Sequence, residues 1–185
     1  MRIQKALRPD QENITRFLNV LGSAATMLSS NKYVRPAFFI QAHDFIQGYI
    51  VQGFYTKEEV LIRTLAEGGF PDDDGPILGI RGDQEKSRES ARIMLSAARH
   101  WQEGDEEARV DVGWASSTFT SSVRQHQERL KNLIFPLLEQ TITIDEEHKV
   151  SDDINNLDLG PDLQNGAEKY LRLIESLEET LSDWR

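Results

Sequence analysis

The apolar residues of this 185-residue chain recur at intervals of three and four in five runs, separated by clusters of glycine, proline, aspartate and asparagine. That spacing belongs to helices packed along one face, whereas a half-buried strand needs a period of two. The chain is therefore expected to be all-helical. Its length suffices for one substantial core and requires no second domain.

The first helix is expected from Asp10, as N-cap after Pro9, with Ile14, Phe17, Leu18, Leu21, Ala25 and Leu28 on its buried stripe and Ser29, Ser30 and Asn31 ending it. The second starts at Pro36, where proline suits the first turn, and runs past Leu65 to Gly68 and Gly69, with Gly48 and Gly53 as weak points. A turn-rich loop containing Asp72, Asp73, Asp74, Gly75 and Pro76 reverses the chain. Its three aspartates lack the alternating acidic positions of a calcium loop, so a solvated turn is expected. The third helix then runs to about Glu103. The fourth covers about 112–140, carries Phe119, Val123, Leu130, Leu133, Ile134 and Leu137 on one side, and has Pro136 as a kink near its end. These segments suggest an up-and-down four-helix bundle over residues 1–144. A mobile polar connector follows at 145–161. An additional amphipathic helix at 162–185, with Ala167, Tyr170, Ile174, Leu177, Leu181 and Trp184 as its stripe, is expected to pack on the bundle or on a partner, a second copy included.

Composition narrows function by exclusion. A net charge of -10 disfavours nucleic acid and anionic membranes, whose phosphates need clustered lysine and arginine. Without cysteine there are no disulfides, thiolate nucleophiles or cysteine-held metals. No apolar run approaches the ~20 residues of a membrane span, and no secretion signal is legible, so a cytoplasmic location is expected. Phosphate loops, nucleophile elbows and HExxH pairs are not found, and no catalytic residue is assigned.

The informative residues are polar groups on stripes that ought to be buried. Gln11 shares a face with Leu7, Ile14 and Leu18; Gln84 lies between Ile77, Ile80 and Ala91; His126 lies on the line from Phe119 to Leu130; Tyr55 and Glu59 are four apart beside Val51 and Ile62. One such group from each of four helices suggests a shared polar centre, the way bundles build cofactor and di-metal sites. His43, His100 and His148 read as incidental.

Four stretches also carry a family resemblance. Leu7-Arg8-Pro9-Asp10-Gln11 resembles an opening helix in which an acidic residue precedes a ligand histidine. Phe54-Tyr55-Thr56-Lys57-Glu58-Glu59 resembles a histidine-x-lysine-glutamate-glutamate stretch. Gly75-Pro76-Ile77 with Asp83-Gln84 resembles a glycine-proline-isoleucine turn followed by an acidic-histidine pair. His126 through Leu133-Ile134-Phe135-Pro136 resembles a last ligand helix ending in leucine-phenylalanine-proline. Together, over about residues 7–140, they resemble the hemerythrin-like, or HHE cation-binding, family.

The resemblance implies a di-iron site, but Gln11, Tyr55 and Gln84 stand at histidine positions, Leu130 stands at a glutamate position, and Glu59 and His126 alone keep ligand chemistry. Glutamine is a weak neutral donor, and tyrosine binds mainly ferric iron. The expectation is a metal-free, non-catalytic bundle acting as an interaction or small-ligand module without cofactor. The alternative is a divergent oxygen-responsive or cation-binding protein holding iron or another divalent cation at Tyr55, Glu59 and His126.

Overall fold

The structure is a computed structural model that describes residues 1–30, 33–164 and 166–184; Asn31, expected at a helix end, and Arg185, expected in the terminal segment, lie outside the described residues. The described residues are helical with no strand. The first rod is α1 (Arg2–Ser29). The second runs without a break through α2 (Pro36–Phe45), a π-helical segment (Ile46–Phe54) and α3 (Tyr55–Glu67). The third is α4 (Gly75–Gln102). The fourth joins α5 (Ala108–Arg129), a π-helical segment (Leu130–Ile134) and α6 (Phe135–Thr141). α7 (Ile144–Asn155), α8 (Pro161–Gln164) and α9 (Glu168–Asp183) follow.

Buried residues alternate by three and four along each rod. On α1 these are Ile3, Leu7, Ile14, Phe17, Leu21, Ala24 and Leu28; on α4 they are Ile77, Ile80, Gln84, Ser87, Ala91, Met94, Ala98 and Trp101. This spacing keeps one seam facing its neighbours over many turns. α5 packs on α1 and α4, and α2 on α4. α9 packs on α1 and α2, and α7 on α1 and α3, so the C-terminal helices lie along the join between the first and second rods. Their apolar side chains belong to the same core as the rods.

Three boundaries differ from the sequence expectation. Helix α1 begins at Arg2, not Asp10, and carries Pro9 inside it. An internal proline costs about 3 kcal/mol or more. Burial of Ile3 and Leu7 offsets that cost, and the Arg2 backbone N–H donates to the Glu147 carboxylate of α7. The expected mobile connector is largely the helix α7, whose Val150, Ser151 and Ile154 are buried. A capping box starts it, with Thr143 Oγ1 accepting from the Glu146 N–H and the Glu146 carboxylate accepting from the Thr143 N–H. In the fourth rod the Phe135 N–H bonds Leu130 O, five residues back. This wider turn moves the buried stripe to Ile134 and Leu138, both 0% exposed, and leaves the expected core residue Leu133 46% exposed.

The expected stripe of α9 is buried in cis at Tyr170, Ile174, Leu177 and Leu181, with Trp184 against Phe38. Glycine makes that docking feasible. A Cβ at Gly48 would lie 1.9 Å from the Tyr170 hydroxyl oxygen, and the Tyr170 ring is held edge-on by Phe45 and Tyr49. Gly48→Ala is therefore expected to destabilise the protein by about 1–3 kcal/mol through overpacking. Amide exchange should rise first in α9, and a variant with unchanged exchange there would contradict this packing.

On α5 one buried side chain is unsatisfied. Ser116 is fully buried, and its Oγ has no hydrogen-bond partner among the described residues. Removing an unpaired buried hydroxyl without changing the shape around it favours the folded state. Ser116→Ala is expected to raise stability by about 1 kcal/mol, read from the midpoint of urea unfolding at constant m-value.

Candidate functional site

A polar centre is assembled in the core by α3, α4 and α5. α3 contributes Tyr55 and Glu58; α4 contributes Asp83, Gln84 and Ser87; α5 contributes His126 and Arg129. The two π-helical segments bracket it: one ends at Phe54, immediately before Tyr55, and the other begins at Leu130, one turn after His126. Such wide turns rotate the helix that follows relative to a regular one, which re-aims the side chains beyond them.

His126, 1% exposed, is the hub. Its Nε2–H donates to Glu58 Oε2 at 2.5 Å, and its Nδ1–H donates to Asp83 Oδ2 at 2.9 Å. Glu58 is 0% exposed, and its other oxygen accepts from Gln84 Nε2 at 2.8 Å. Asp83 lies nearer the surface and also accepts from Arg129 Nε at 2.7 Å. Ser87 Oγ donates to the Gln84 carbonyl, so at 2.7 Å it accepts the Tyr55 hydroxyl proton. The Tyr55 ring stands edge-on to the imidazole with centroids 6.0 Å apart.

The electrostatics follow from burial and two carboxylates. Burial alone would push the imidazole toward its neutral form, but the charges of Glu58 and Asp83 and their hydrogen bonds outweigh it, raising the His126 pKa to about 9. Asp83 is lowered: its desolvation is outweighed by bonds from His126 and Arg129. Burial and the nearby Glu58 charge push the Tyr55 hydroxyl upward, away from phenolate. The centre at neutral pH is a buried imidazolium donating to two carboxylates.

Of the residues expected from sequence, Tyr55, Gln84 and His126 do meet here, and Leu130 is fully buried on the turn after His126. Glu59 does not join them. It is exposed and pairs with Arg81 at 3.0 Å, and the buried carboxylate is Glu58. Gln11 is half-buried beside Gln127, which donates from Nε2 to the Gln11 carbonyl at 3.2 Å. On α1 the seam position belongs instead to Asp10, which accepts from the Tyr49 hydroxyl at 2.7 Å and from Lys57 Nζ at 2.5 Å.

Both corrections have one origin. Phe54, Glu58, Leu61 and Leu65 are spaced four, three and four, as are Leu7, Asp10, Ile14 and Phe17 with the order inverted, so the seam runs through Glu58 and Asp10. Placing Gln11 with Leu7, Ile14 and Leu18, and Glu59 with Tyr55 and Ile62, selects the position one residue around each helix from that seam. Asp83, Ser87 and Arg129 also escaped the sequence reading. Ser87 lies on the α4 seam, where small hydroxyls pass for filler, and Asp83 and Arg129 lie at its edge.

The donor set suits hydrogen bonding better than cation binding. His126 has no free ring nitrogen, Glu58 and Asp83 stand on opposite sides of the imidazole, Gln84 is neutral, and Leu130 presents hydrocarbon. No cluster of three or more His, Cys, Asp or Glu side chains among the described residues is arranged to hold one ion. No helix there is long and apolar enough to cross a membrane. No family model, curated protein or solved structure matches this chain.

Proposed function

We propose that this chain is a hemerythrin-like four-helix bundle, extended by α7 and α9, whose central site has exchanged its metal for a protonated histidine, and that it works by holding a small ligand or a partner rather than by catalysis. The observation supporting this is the engagement of both His126 nitrogens, toward Glu58 and toward Asp83. A metal ligand needs a deprotonated ring nitrogen, and here both carry protons at neutral pH. The residues present do not fit a di-iron group, which needs several imidazoles with bridging carboxylates. Glu58 and His126 are sealed from solvent, which also argues against an acid–base pair acting on a substrate. Surface features support a binding role. α5 exposes Val110 and Trp114, one helical turn apart, beside a groove of about 550 Å³ against α1.

One observation favours a second reading. Glu58 and His126 face each other directly, so a divalent cation that displaced the shared proton would find a carboxylate and an imidazole in place. The test is elemental analysis with an absorption spectrum on protein purified from iron-supplemented growth and never exposed to chelator. The expected result is a colourless, folded protein without stoichiometric metal. Near-stoichiometric iron that is lost on Glu58→Gln, with the variant still folded by circular dichroism, would replace the metal-free reading with a metalloprotein.

A further inference from the structure

A second polar cluster lies on the other side of the second rod and opens onto a cavity. Asp10, Tyr49 and Lys57 form its floor: Tyr49 donates to one Asp10 oxygen and accepts from Asn13 Nδ2 at 2.9 Å, and Lys57 Nζ donates to the other. Above them is a space of about 230 Å³, walled by Phe54 on one side and by Leu159, Leu163 and Ala167 on the other. The far wall belongs to the segment carrying α8, a four-residue helix with no buried residue. Gly160 and Gly166, at φ of 90° and 101°, flank α8 in a conformation other residues rarely adopt. Leu163 reaches over Gly53, where a Cβ would lie 2.9 Å from its Cδ1, so the missing side chain of the π-helical segment makes the room.

We infer that this cavity is a binding site for a small uncharged molecule with a short apolar body and one hydrogen-bond acceptor, covered by α8. The volume falls below the roughly 300–1,000 Å³ of drug-sized sites, which limits the ligand to a fragment. The acceptor is placed by Lys57. An ammonium has three protons, and among the described residues one is committed, to Asp10. The Tyr49 hydroxyl has its one proton committed to Asp10 and so has none to offer a ligand acceptor. Charge decides against an anion: Asp10 balances Lys57, and the cover adds Asp158 and Asp162 against Lys169 alone. The apolar body meets Phe54 and Leu163. α8 has no buried residue, and among the described residues its side-chain ties to the following helix come from Asp162, to Lys169 and to Tyr170.

This inference rests on the small-ligand reading above and gives it a place and a ligand class, while the metal analysis tests that reading independently. The probes are butyramide, butyrate and butylammonium, which share a body and differ in charge, titrated into the full chain with backbone amide NMR as readout. Butyramide should shift Gly53, Lys57 and Gly166, with butyrate and butylammonium about tenfold weaker or worse, the worth of one charge-assisted hydrogen bond. Lys57→Met should weaken butyramide by a similar factor, and Ala167→Phe, which fills the apolar half, should abolish binding. Circular dichroism and Tm establish that each variant is folded, and if Lys57→Met is not, Ala167→Phe alone carries the test. The inference is overturned if butyramide leaves these amides unmoved, if butyrate binds best, or if folded Ala167→Phe binds as well as the parent.

Discussion

Glu58→Ala is expected to cost about 3–5 kcal/mol of folding free energy, because it breaks a buried ion pair and strands its partner. The His126 imidazolium would keep Asp83 but lose the acceptor at Nε2, and Gln84 Nε2 would lose its only acceptor among the described residues, both in a site without water access. Against a typical total of about 5–15 kcal/mol, that approaches unfolding at ambient temperature. Glu58→Gln retains the volume and one acceptor, so a smaller loss of about 1–3 kcal/mol is expected. The neighbouring Glu59→Ala removes an exposed pair with Arg81 and should change stability by no more than about 0.5 kcal/mol. Urea unfolding of the three variants reads the order directly. A larger cost at Glu59 than at Glu58 would show that the inward face of α3 has been misassigned. The double variant Glu58→Ala/His126→Ala should cost less than the sum of the singles, since the two groups act as one unit.

Stability should fall on the alkaline side of neutrality, in a window set by the same pair. The His126 pKa rises from 6.5 to about 9 on folding, so the folded protein binds a proton the unfolded chain releases. That contribution is complete below pH 6.5 and is lost as pH climbs through about 9. At about 1.4 kcal/mol per pH unit, the loss across the window is on the order of 3 kcal/mol. Asp83 has the opposite sign. Its lowered pKa contributes stability above the usual carboxylate range that is lost on acidification. Stability is thus expected to be greatest from mildly acidic to neutral pH. Urea midpoints between pH 6 and 10 should trace the alkaline limb, and His126→Gln should flatten it. A parent protein whose midpoint is constant across that range would rule out the buried imidazolium.

The all-helical class was legible because the apolar period states it directly; the second, third and fourth expected helices stand close to their expected limits, while the last begins at Glu168 after the short α8 instead of at 162. His126 and Gln84 were legible for the same reason: each interrupts a stripe whose flanking residues are plainly apolar. The helix α7 was not, although Thr143 and Glu146 spell a capping box and Val150 and Ile154 are four apart. Two apolar positions in twelve residues are too few to specify a helix in isolation, and docking against α1 and α3 supplies what propensity does not. The outward turn of Leu133 was equally hidden, because a π-helical turn changes the bonding partner without changing the residue spacing that a reader counts.

By itself, the sequence determined the all-helical class and that polar side chains interrupt the buried seams, since both follow from spacing along one chain. Tertiary structure decided which of two adjacent glutamates is the buried one, because Glu58 and Glu59 differ by about a hundred degrees around α3 and only the position of α4 and α5 makes one direction the interior. It also decided that Asp83 reaches His126 from another helix. No spacing within a single helix encodes that approach, and it is what turns an interior histidine into a cation held between two carboxylates.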